Sequence, residues 1–183
     1  MGVAGAVAAV VAWAGASTIV LADGRRGVAV GLAITAAGLT FLAWSTAGPV
    51  AAIALAAGGA IAAFTRDRSG PAGWSIMPPG STPRLILCIA AGLLALWLAV
   101  SVTNGPGAPA RFAVLCVVGL MGGRVLSARD PAVIIGAVAS LVLALAEGAG
   151  LAAPAPGPAP YILGALLAAG VMFVPLPAPA HAA

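Results

Sequence analysis

Long apolar runs alternate with short polar interruptions along this chain, and run length decides what each run can be. Seven runs, at about 4–22, 28–46, 47–64, 85–103, 111–127, 131–149 and 160–177, carry almost no charge. A helix needs about 20 residues to cross the hydrocarbon layer of a bilayer, so the pattern predicts about seven transmembrane helices. The shorter runs imply little tilt or local thinning of the bilayer. Only "STAGP" (45–49) separates the second run from the third, which predicts a tight antiparallel hairpin. Pro175 and Pro177 interrupt the end of the seventh, where a proline removes a helical donor.

Composition agrees with this pattern. The chain is 62% hydrophobic and 7% charged, with mean hydropathy +1.16, whereas a soluble domain carries roughly 25% charged residues. The expected fold class is an all-α integral membrane protein, one polytopic domain over residues 1–183 whose first partner is the lipid bilayer. A net charge of +4 and a pI near 10.6 raise the question of nucleic acid. The eight basic residues, all arginines, are scattered through the connections without a patch or stripe, so no nucleic-acid partner is expected. No basic residue precedes Arg25, so the first run lacks the basic flank of a signal peptide and reads as a retained span.

The position of the charges predicts the topology. The connection "ADGRRG" (22–27) holds Asp23, Arg25 and Arg26, and the segment 65–84 holds Arg66, Asp67, Arg68 and Arg84. "RVLSARDP" (124–131) holds Arg124, Arg129 and Asp130. With seven spans these three connections lie on one side, and Arg111 is the one arginine opposite. The positive-inside rule makes the basic side cytoplasmic, giving an outside N-terminus, a cytoplasmic C-terminus and a place in the cytoplasmic (inner) membrane. The segment 65–84, rich in proline and glycine, reads as an irregular cytoplasmic loop. Its Trp74 is either an interfacial anchor or a contact for a partner subunit. The uncharged "GLAAPAPGPAP" (150–160) reads as a stiff outer loop. The stretches 20–39 and 125–144 also echo one another: span end, short charged turn, small-residue span.

Few residues can carry chemistry. Glu147 is the one carboxylate expected within the bilayer, and an ionisable group there is a functional candidate by default. It lies 17 residues after Asp130, about 25 Å along a helix. That leaves two readings, a carboxylate pointing to headgroup water at the outer interface or a proton or cation site. Arg124 enters the fifth span by about a turn, where it either snorkels to the interface or pairs with a partner subunit. Arg129 and Asp130 form a partly neutralised hairpin turn before Pro131, which suits the first position of a helix. Cys88 and Cys116 fall inside spans as small hydrophobes, and His181 is the one histidine. "GVAVG" (27–31) and "GLMGG" (119–123) match the close-packing pattern of small residues in membrane helices. The hydroxyls of Ser17, Thr18, Thr35, Thr40, Ser101 and Ser140 can each bond their own helix backbone. No nucleophile–base pair, metal cluster or phosphate loop is visible, so neither catalysis nor a cofactor is expected.

The segment "VLSARDPAVIIGAVASLVLALAEG" (125–148), a polar turn followed by a small-residue helix, resembles the NuoK-like membrane subunits of complex I and its relatives. The arrangement of paired short-turn hairpins and a proline-containing loop after the third span is similar to hydrogenase-4 component E of group 4 membrane hydrogenases. The resemblance implies a subunit in a membrane arm. In that family the hairpin carries a mid-membrane carboxylate, where this chain has Ala139 or Ser140, and the third span commonly carries a lysine, which residues 47–64 lack. No functional residue of the family transfers. The expected function is a non-catalytic subunit packing in the membrane arm of a larger, redox-driven proton- or ion-translocating complex, with other membrane subunits or further copies of itself as partners. The alternative is a small stand-alone or homo-oligomeric transporter or channel for a small neutral solute.

Overall fold

The computed structural model describes residues 2–69, 73–102, 107–153 and 157–175. They form helices α1 (Val3–Leu21), α2 (Arg25–Ala47), α3 (Pro49–Arg68), α4 (Thr82–Trp97), α5 (Ala108–Ser127), α6 (Pro131–Ala152) and α7 (Ala159–Val171). A π-helical turn, Leu98–Val102, extends α4. Among the described residues there is no β-strand, only an isolated bridge between Ala22 and Ile76.

Six of these helices are long and apolar enough to cross a membrane, counting α4 to Ser101. That fits a multi-pass helical membrane protein. The seventh expected span is shorter than anticipated: α7 has 13 residues and reaches about 20 Å, less than the hydrocarbon thickness of about 30 Å. Of the prolines expected to interrupt it, Pro175 follows a turn beyond the helix, and Pro177, like His181, lies outside the described residues.

Prolines open five helices at their first turn, α3, α4, α5, α6 and α7, where the missing N–H is not needed. Asp130 caps α6 by accepting from Ala132 N at 2.9 Å, the helix-entry role its residue type favours. The α2–α3 hairpin turns at Gly48, whose φ of +91° is the region in which glycine has no Cβ penalty.

Both ends of the segment 65–84 differ from the sequence expectation, because α3 continues to Arg68 and α4 begins at Thr82. Arg66 and Arg68 lie in the last turn of α3, where cations complement the helix dipole. The Arg68 guanidinium stacks 3.9 Å from the Phe64 ring centroid, and Arg66 Nη1 donates to Ser69 O at 2.7 Å, tying off the helix end. The remaining loop is attached to the bundle. Asp23 N donates to Ser75 O at 3.1 Å and Met77 N to Leu21 O at 3.1 Å, so its backbone lies against the α1–α2 turn. Trp74 is half exposed.

Small residues set the packing. A Cβ at Gly38 would stand 2.6 Å from Ala12 N, and one at Gly15 would stand 2.8 Å from Gly31 O, so α1 and α2 meet backbone to backbone. α2 packs on α1, α3 and α6, and α6 packs on α2, α3, α5 and α7, which makes these two the centre of the bundle. α4 lies at the edge against α5 and α1, with Leu93, Leu94 and Trp97 facing outward. The glycines of 119–123 do not serve packing within the chain: a Cβ at Gly119, Gly122 or Gly123 would meet nothing within 4 Å.

Candidate functional site

The three connections expected on one side converge at one end of the bundle, here called the basic end. Asp23, in the α1–α2 turn, accepts from Arg84 Nη1 at 3.1 Å through both carboxylate oxygens. Its Oδ1 also accepts from Arg124 Nη2. Arg124 does not snorkel outward: its guanidinium turns inward to partners within this chain. Its side chain is 3% exposed, and Nη2 also donates to Ala22 O at 2.9 Å. The partner comes from the same chain because the small residues of α1, α2 and α5 let the two charged turns meet. Burial alone would raise the Asp23 pKa, but hydrogen bonds from Arg124 and Arg84 and their positive charges outweigh it and hold the carboxyl below its ordinary value. Beside the cluster lies a cavity of about 400 Å³ lined by Asp23, Arg84, Arg124, Ser127, Arg129 and Asp130. Arg129 is exposed, and Asp130 is half buried at its cap position.

Glu147 lies at the opposite end and corrects a second expectation. It does not reach headgroup water: the residue is 0% exposed. Five residues of α6 follow it, placing it about 7.5 Å below the helix end, and α2 and α7 close over it. Thr46 Oγ1 bonds to Oε1 at 3.3 Å. Oε2 is buried with no hydrogen-bond partner among the described residues. Tyr161 of α7, also fully buried, stands within electrostatic range of Glu147 and Thr46, with its hydroxyl unpaired and directed at the bare backbone of Gly150. Ser140 lies two turns below Glu147 on the same buried face of α6, its Oγ likewise unpaired. No arginine forms a salt bridge with Glu147 among the described residues.

Sequence reasoning therefore found the residues and missed their company. Of the four candidates, the structure brings Arg124, Arg129 and Asp130 around one cavity and leaves Glu147 across the bundle. Thr46 and Tyr161 carry no warning in the sequence, since Thr46 falls in the short stretch 45–49 that separates two apolar runs and Tyr161 lies beside a proline run. Asp23 lies in the α1–α2 turn where the sequence places it, whereas Arg66, a loop residue when judged by charge, ends α3. The other intramembrane hydroxyls behave as expected where they are bonded: Thr18 donates to Ala14 O and Thr35 to Gly31 O. Cys88 and Cys116 are free and buried.

Compared with known proteins, the chain matches no family model, no curated sequence and no solved structure.

Proposed function

We propose that this chain is an integral membrane subunit of a proton-translocating assembly and that Glu147 is the group that takes and releases the proton. The observation that carries this reading is the isolation of Glu147: a fully buried carboxyl with one oxygen on Thr46 and the other unpaired. A carboxylate kept for structure alone is ordinarily matched by a cation, whereas an unmatched one inside a bundle is a place of exchange. Thr46 and Tyr161 are too small a donor set for Ca²⁺ or Mg²⁺, which take six or more oxygens. A proton needs one. Ser140, one of the two positions (with Ala139) where the resemblance would put a carboxylate, lies on the same face.

The subunit part of the reading rests on surfaces left open. A cavity of about 540 Å³ on the outer face of α2 and α3 is lined by Ala33, Ala37, Thr40, Phe41, Trp44 and Ala60, and the glycines of 119–123 face open space. Both are shapes that closely packed membrane helices use. A stand-alone carrier for a neutral solute would favour a polar cavity at mid-depth, and the groove on α2 and α3 is apolar. In this reading the basic end faces the cytoplasm and the chain lies in the cytoplasmic membrane.

The test uses protein purified in mild detergent with whatever subunits remain bound, reconstituted into liposomes enclosing a pH-sensitive dye. An imposed potential should drive acidification by the native preparation, and Glu147→Gln should abolish it while the melting temperature stays within a few degrees. Equal rates in the two preparations refute the proton role, and recovery of the chain without any co-purifying membrane protein refutes the subunit role.

A further inference from the structure

Thr46 stands between Glu147 and the surface of the bundle. It is the last residue but one of α2, just before the turn at Gly48. Thr46 is part-exposed, whereas Glu147 and Tyr161 are both fully buried. Its Oγ1 lies 3.3 Å from Glu147 Oε1, and Oε2 has no hydrogen-bond partner among the described residues. Among those residues, the Thr46 side chain is therefore the one that both bonds to the buried carboxyl and comes to the surface.

A hydroxyl has one hydrogen to donate and two lone pairs, and more than one acceptor lies within reach of Thr46. Leu42 O is 3.0 Å from Oγ1 and Ala43 O is 3.5 Å away, both one turn back along α2, the usual backbone partners of a helical threonine. Leu42 O also accepts from Ser45 Oγ at 2.8 Å. That shorter bond keeps the carbonyl served when the Thr46 hydrogen turns away. Thr46 thus matches Glu147 in either protonation state. Turned to Glu147, the hydroxyl donates to a carboxylate; turned to Leu42 O, it offers a lone pair to a carboxylic acid, whose own O–H donates. Rotation about the Cβ–Oγ1 bond interconverts the two without moving the backbone.

We propose that Thr46 is the port through which Glu147 exchanges its proton with water at the end of the bundle opposite the basic end, a step that rests on the proton role given to Glu147. In uptake, a hydronium ion bonds a proton to Oγ1 while the hydrogen already there leaves for Oε1. The products are one water, an unchanged threonine and a neutral Glu147, so atoms and charge balance. The hydroxyl then turns back to Leu42 O. Release runs through the same bonds in reverse. Ser45 is the positioning residue: by bonding Leu42 O it leaves the Thr46 hydrogen available to the carboxylate.

The test reads Glu147 itself in the full-length protein purified in mild detergent. At a pH low enough to protonate the carboxyl, its C=O stretch is the infrared band that Glu147→Gln removes. Transfer to D2O shifts that band as deuterium replaces the proton, and the time course gives the exchange rate. Thr46→Val keeps the side-chain shape without the hydroxyl and should slow exchange about a hundredfold, whereas Thr46→Ser keeps the hydroxyl and should stay within about threefold of the native rate. Ser45→Ala leaves Leu42 O to Thr46 and should slow exchange about threefold or more, which keeps the test valid should Thr46→Val fail to fold. Equal rates in the native chain and Thr46→Val overturn the proposal, as do equal rates in the native chain and Ser45→Ala where Thr46→Val does not fold. Equal slowing by Thr46→Val and Thr46→Ser assigns the effect to packing and also overturns it, as does a native chain with no Glu147 band at any pH. The liposome assay judges transport separately: slowed exchange in Thr46→Val, with a flux that Glu147→Gln leaves untouched, keeps the port and removes the transport role.

Discussion

Replacing Asp23 with alanine removes the carboxylate that holds Arg124, and the cost can be bounded from the two exposures. The Arg124 side chain is 3% exposed and that of Asp23 is 40% exposed. Stripping the partner from a fully buried charge costs about 3–5 kcal/mol, whereas an exposed pair contributes about 0–1 kcal/mol. Water at Asp23 screens the pair, and Ala22 O remains as an acceptor for Arg124. The expected loss is therefore about 1–3 kcal/mol. The pair joins the α1–α2 turn to the end of α5, so the loss should loosen that junction first, and Trp74 in the adjoining loop can report it by fluorescence. The assay is unfolding by sodium dodecyl sulfate in mixed micelles for the native chain, Asp23→Ala, Arg124→Ala and the double variant. Arg84 also bonds Asp23, so the single variant measures both ties while the cycle isolates one. A coupling energy of about 1–2 kcal/mol is expected. A value below about 0.5 kcal/mol would show that the two turns are held together by packing alone.

The same carboxyl predicts a pH dependence. Its folded-state pKa lies below the ordinary carboxylate value, which is about 3.9, so its contribution is fully present above that ordinary value. It should be lost as the pH falls through the lower folded pKa; melting curves between pH 7 and 3 should show acid sensitivity in the native chain that Asp23→Ala lacks. Gly38→Leu should cost about 1–3 kcal/mol or more, because its Cβ would meet Ala12 N at 2.6 Å and α1 would have to move off α2; unchanged micelle unfolding refutes that packing. Gly119→Leu should leave the stability of the isolated chain within about 0.5 kcal/mol, since open space surrounds that position. In the assembled protein it should release partners from the detergent-purified preparation, which a pull-down reads directly.

Sequence reading reached the helices because each span is a local property. The hydrophobic run lengths placed the six long helices to within a few residues, and Pro131 marked the start of α6. The third run stopped at residue 64, short of Arg68, because Arg66 and Asp67 read as loop when judged by charge; helix ends tolerate charge, and the backbone stays helical through Arg68. α7 was read too long because an apolar stretch does not state where its backbone stops being helical.

What the sequence by itself determined about this protein is its solvent and its alternation: too few charges for water, apolar runs of membrane-crossing length, and arginines gathered at alternate connections. These follow from composition and spacing, which need no knowledge of which helix touches which. Only the tertiary structure decided the company of each charged group. Arg124 meets Asp23 across 101 residues, Glu147 meets Thr46 across 101 residues, and Arg66 is buried at the end of α3 with Ser69 O as its partner. The physical reason is that a bundle of small-residue helices packs by backbone contact, so a shift of one helical turn would give each buried charge a different neighbour. That register belongs to the whole bundle and to no single stretch of the chain.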